Sequence, residues 1–100
     1  MMAVTTMMGE AGAVHRLPPV LDLAAAEPLA AALRARLPDG PICVDGQDVE
    51  RASTPCIQVL AAAAATARAR GFVFRLENAS AAMAEAIEDL GLGQALEGDR

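Results

Sequence analysis

Lysine, tryptophan and tyrosine are absent from this chain, and it carries only two phenylalanines, two cysteines and one histidine. With no lysine, all eight basic residues are arginines, set against 13 acids for a net charge of −5. A phosphate backbone or an anionic membrane surface holds its binders through clustered positive charge, and here the arginines are scattered or lie beside acids. Nucleic acid and direct membrane insertion are therefore not expected. Cys43 and Cys56 are too few for a disulfide scaffold, and with one histidine they cannot complete a four-ligand zinc site. Reduced thiols are the expectation, with no metal and no cofactor. The longest apolar run, Val59 to Ala67, is interrupted by Thr66 and falls well short of the ~20 residues that span a bilayer. Residues Met1 to Met8 lack the basic n-region and long apolar h-region of a secretory signal, so a cytoplasmic protein is expected.

What is present suffices for one small domain. Of the 100 residues 54% are hydrophobic, and 24 of these are alanine. Leu, Ile, Val and Phe together still make 23%, above the ~20% below which charged chains tend to stay disordered. Residues 1–13 mix Met, Thr, Gly and Glu without periodicity and read as a tail or a short first strand, with the domain proper over residues 14–97. His15 to Asp22 reads as one extended edge segment, because Pro18 and Pro19 remove donors. Leu29, Leu33 and Leu37 at helical spacing predict a first helix over residues 23–37, with Pro28 in its first turn. Pro38-Asp39-Gly40-Pro41 breaks the chain, and Ile42-Cys43-Val44 reads as a buried strand. Asp45 to Ser53 is a polar loop. A second helix then runs from Thr54 to about Arg70 and stops at Gly71, and Phe72 to Leu76 is a strand by propensity. Ser80 caps a third helix carrying Met83, Ile87 and Leu90, closed by Gly91. Strand and helix alternate with short connections, which predicts an α/β domain: a mixed, mostly parallel four-stranded sheet with three main helices packed on it.

In such sheets functional groups collect where strands end and helices begin. That rim carries Asp22, the stretch Asp45 to Pro55, and Asn78 with Ser80. Ser53-Thr54-Pro55 places two hydroxyls at a helix start. Read from spacing alone, Thr54, or less favourably Ser53, is an N-cap worth ~1 kcal/mol.

Val44-Asp45-Gly46, the stretch Arg51-Ala52-Ser53-Thr54-Pro55-Cys56-Ile57-Gln58-Val59-Leu60, and Phe74-Arg75-Leu76 with Ser80 and Leu90-Gly91-Leu92 together resemble a STAS domain, from roughly Leu17 to Leu96. That family includes bacterial anti-sigma factor antagonists and the regulatory subunit of a phospholipid-trafficking ABC transporter. The resemblance puts Thr54 at the position phosphorylated in the antagonists, with Ser53 just before it. Ala52 stands where the family often has Asp, and Pro55 replaces its Gly. It implies a non-catalytic signal-transduction protein that binds a protein partner through the loop before the second helix and that helix's start. Asp45, Asp48, Ser53, Thr54, Pro55 and Gln58 are the partner-binding candidates, and Thr54 and Ser53 the phosphorylation candidates. The implied partner is a serine/threonine kinase or anti-sigma factor, released or recruited by phosphorylation. The alternative is constitutive docking on the ATPase of the transporter.

The remaining groups read more plainly. Cys43 is strand packing, and Cys56 a core or half-buried thiol, since no basic neighbour is placed to hold a thiolate. His15 reads as a solvated surface residue with no nucleophile beside it. An enzyme using Cys56 or His15 is a third hypothesis. No glycine-rich loop follows a strand, so nucleotide binding has no support. In the run Ala61 to Ala65, helical spacing turns Ala61 and Ala64 to the domain's own sheet and Ala62, Ala63 and Ala65 elsewhere.

Overall fold

The computed structural model describes residues 14–36 and 40–97. Chain order within them is β1 (Val14–Arg16), β2 (Val20–Leu21), α1 (Leu23–Arg36), β3 (Ile42–Asp45), β4 (Arg51–Ala52), α2 (Thr54–Ala69), β5 (Phe74–Glu77), α3 (Ala81–Asp89) and α4 (Gly93–Glu97). The α/β class is as expected. Strands β1, β3 and β5 form a parallel sheet with β3 in the centre, and β2 pairs with β4 in a separate parallel ladder. The expected main sheet had four strands; the described residues place three in it, and the short first strand considered within residues 1–13 lies outside them.

One face of the sheet makes the core. Ile42, Val44 and Phe74 are buried, and in register with Val44 lie His15 and Leu76, both partly covered. The period of two turns the alternate residues to the other face. There the cross-strand rows are Val14, Cys43 and Arg75, then Arg16, Asp45 and Glu77. Against the inner face pack Leu29 and Leu33 of α1, Ile57, Leu60 and Ala64 of α2, Met83 and Ile87 of α3, and Leu96 of α4. At ~25 cal/mol per Å² of apolar area removed from water, each buried Leu or Ile contributes roughly 1.5–3 kcal/mol against chain entropy.

The ends of α2 and α3 follow their sequence signals. Each closes with a glycine at positive φ, Gly71 at 82° and Gly91 at 70°. Beyond it the Phe72 amide donates to the Ala67 carbonyl, and the Leu92 amide to that of Ile87. These bonds satisfy carbonyls that the last turn leaves unpaired. Ser80 caps α3 as predicted, its Oγ accepting from the Met83 amide at 3.1 Å.

Four local readings are corrected. The extended segment His15 to Asp22 is two strands, because the diproline interrupts it: β1 joins the sheet and β2 leaves it for β4. The loop Asp45 to Ser53 contains β4, since the carbonyl of Pro19 accepts from the amides of both Glu50 (2.7 Å) and Arg51 (3.1 Å). Proline lacks a donor but keeps its acceptor. Pro28 lies inside α1 and not in its first turn, because the helix already begins at Leu23. The cap there is Asp22, whose Oδ1 accepts from the Ala25 amide at 3.2 Å. Finally, Ala63 is buried with Ala64, as α2 packs beside α1 as well as on the sheet.

Candidate functional site

The rim at the carboxyl ends of the strands divides into two groups of candidate residues. The first lies where β3 ends. Asp45 is half-buried, its Oδ1 accepting from the Gln47 amide at 2.8 Å and its Oδ2 from Asn78 Nδ2 at 3.3 Å. Asn78 sits at φ 56°, a left-handed conformation that Asn adopts at lower cost than most residues. Gly46 then donates to the Glu77 carbonyl and accepts from the Ser80 amide, which locks the loop to the β5–α3 turn. Asp48 is exposed and pairs with Arg16 Nε at 3.1 Å. An exposed ion pair of this kind contributes ~0–1 kcal/mol, so Asp48 remains available to a partner.

The second group lies where α2 begins. Ser53, not Thr54, is the N-cap residue; Thr54 is the first helical position and Pro55 the second. The two hydroxyls differ sharply. Ser53 Oγ is buried, makes no cap bond and has no hydrogen-bond partner, whereas Thr54 is exposed, as is Gln58 one turn further on. The backbone explains the arrangement. The Ser53 amide donates to the Leu21 carbonyl at 2.8 Å, and the Cys56 thiol to the Asp22 carbonyl at 3.3 Å. The start of α2 is thus bound to the start of α1, and Thr54 is the first side chain to emerge from that junction.

The segment Leu17 to Asp22 joins the two groups: the Leu17 amide donates to the Asp45 carbonyl, and β2 pairs with β4. Asp45, Asp48, Ser53, Thr54, Pro55 and Gln58 therefore belong to one rim, held by backbone bonds. Asp22 is the participant the sequence reading did not single out as a cap; its signal was an Asp directly before an alanine-rich helix.

Neither thiol is exposed on this rim. Cys56 is fully buried beneath α2. Cys43 is half-buried on the outer sheet face, where burial and the neighbouring Glu77 carboxylate push its thiol pKa up. His15 is half-buried rather than solvated; burial, reinforced by the Arg36 guanidinium, holds its imidazole below the ordinary value. A small apolar cleft of about 260 Å³ lies beside it, bounded by Pro18, Leu21, Ala25 and Leu29 among others. Cys56 and His15 do not share a catalytic cavity in this arrangement: one is sealed under a helix and the other faces proline and leucine.

A protein-family model described as "Mlab, STAS domain" matches residues 5–98. The chain belongs to the STAS domain family. The match spans both groups of rim residues and all nine elements described above. No curated protein matches the chain significantly. STAS domains are in general non-catalytic modules with regulatory or binding roles. Among the described residues of this STAS domain, no helix is long and apolar enough to cross a membrane.

Proposed function

We propose that this STAS domain binds a protein partner through the loop between β3 and α2 and the exposed start of α2, with phosphorylation of Thr54 as the switch. The observation that carries the reading is the contrast between adjacent hydroxyls. Thr54 stands outside at the first position of α2, while Ser53 Oγ has no access to solvent. Of the two candidates, Thr54 is thus the group a kinase can reach. A phosphate there adds about −1.5 to −2 charges beside a helix start whose partial positive charge tolerates it. The fold is kept. A partner that had covered a neutral hydroxyl would meet a desolvated dianion after a loop that already carries Asp48 and Glu50, and would be released. The partner of this reading is a serine/threonine kinase or anti-sigma factor, and the domain itself has no catalytic role.

A second reading is constitutive docking on the ATPase of a phospholipid-trafficking ABC transporter. It is favoured by Ala52 and Pro55, which replace the Asp and Gly of the antagonist motif while leaving the docking surface intact. Affinity purification from the native cells with wild type, Thr54→Ala and Thr54→Glu separates the two. A kinase-like partner held by wild type and Thr54→Ala but lost by Thr54→Glu supports the switch. An ATPase retained with Thr54 never phosphorylated under any growth condition supports the transporter reading. A Thr54→Glu variant that keeps a kinase-like partner as well as wild type does sinks the switch.

A further inference from the structure

Asp45 lies in the outer row of the sheet between Arg16 and Glu77, yet no arginine on that face pairs with it. Arg16 goes to Asp48 at 3.1 Å and Arg75 to Glu77 at 3.6 Å. Among the described residues Asp45 therefore has no ion pair, and two neutral donors set the direction of its carboxylate. The Gln47 amide holds Oδ1 from within the same loop. Asn78 Nδ2 holds Oδ2 from a different element, 33 positions further along the chain.

The backbone does not require an asparagine at position 78. Its φ of 56° is a conformation that glycine takes without steric cost. Other groups already close the turn: the Gly46 amide donates to the Glu77 carbonyl, the Ser80 amide to the Gly46 carbonyl, and Ser80 Oγ accepts from the Met83 amide. What the asparagine side chain adds, and glycine would not, is the donor to Asp45. Asn78 is exposed and Asp45 half-buried, so one neutral donor between them adds little to stability. Its effect is on orientation. With both oxygens held, the carboxylate presents its remaining lone pairs in a fixed direction.

We infer that Asn78 is a positioning residue for partner recognition: it holds Asp45 in the orientation that the partner meets, and so brings the β5–α3 turn into the recognition apparatus. The inference rests on the docking reading above, in which Asp45 is a contact. A partner then meets a carboxylate whose rotation is already restricted, and less ordering is left to the moment of binding.

The test is a double-mutant cycle between Asp45→Asn and Asn78→Gly, read as the affinity of the purified chain for the protein that wild type retains in affinity purification from the native cells. Asn78→Gly keeps the left-handed turn and should melt with wild type, while its Gln47 amide exchanges faster with solvent. Each single variant is expected to weaken binding about tenfold, and the double variant no further than either single. Asn78→Asp, which sets a second carboxylate against Asp45, should weaken binding at least as much as Asn78→Gly. Losses that multiply in the double variant overturn the inference, because Asn78 would then act independently of Asp45. Wild-type affinity in Asn78→Gly also overturns it, and the rim reading still stands if Thr54→Glu releases the partner. Wild-type affinity in Asp45→Asn, Asn78→Gly and Thr54→Glu alike, or no protein retained by wild type, overturns the two together.

Discussion

Gly46 and Met83 occupy adjoining space so closely that a β-carbon on Gly46 would stand 2.6 Å from Met83 Sδ. Met83 is fully buried, so its flexible thioether must repack within the core to admit the methyl group. Gly46→Ala is therefore expected to lower stability by about 1 kcal/mol, the low end of overpacking costs, because the atom it meets ends a flexible side chain. Denaturant unfolding checks it. In the Met83→Val background the same change should be milder, which would identify the clash as the cause.

The two serine caps should respond in opposite ways. Ser80 Oγ accepts the Met83 amide, so Ser80→Ala is expected to cost about 1 kcal/mol. Ser53 Oγ is buried with no partner, so Ser53→Ala removes an unsatisfied polar atom and should be neutral or slightly stabilising. Paired urea titrations of the two variants suffice. A loss at Ser53 equal to that at Ser80 would contradict the arrangement.

Thr54→Glu should leave the domain folded, with stability unchanged or raised by ~0.3–1 kcal/mol, because an acid in the first turn complements the helix start. Thermal melts of purified protein read this directly. They also show whether any loss of partner by this variant reflects the surface rather than unfolding.

His15 gives the domain a pH dependence near neutrality. Burial, with the Arg36 guanidinium beside it, lowers its pKa in the folded state below the ordinary 6.5. The unfolded chain then takes up a proton first as pH falls, so stability is full above about 6.5 and declines as pH drops through the folded-state value. Unfolding measured between pH 7.5 and 5.5 should show this decline, and His15→Gln should flatten it. An NMR titration of His15 with a midpoint above 6.5 would contradict it.

Much of the fold was legible because its signals are local. Gly71 and Gly91 stop helices at positive φ, Ser80 caps α3, and Ile42-Cys43-Val44 forms a strand, with Ile42 and Val44 in the core and Cys43 half-buried on the other face. The misreadings arise where distant segments decide. β4 exists only because the Pro19 carbonyl lies beside it, and Ala63 is buried only because α1 is a neighbour. Pro28 reads as a start signal in the sequence, yet the helix already begins after Asp22, and tertiary packing tolerates the proline within. At the rim, the sequence identified the hydroxyl pair but could not tell which would face outward; the Ser53 amide bond to Leu21 decides that.

The β2–β4 ladder has only two rungs, yet it unites helix entrances contributed by widely separated parts of the chain. Such long-range pairings close late, after intervening segments have ordered. Breaking either rung is therefore expected to loosen both helix entrances at once, because the Ser53 amide and the Leu21 carbonyl share the same bond.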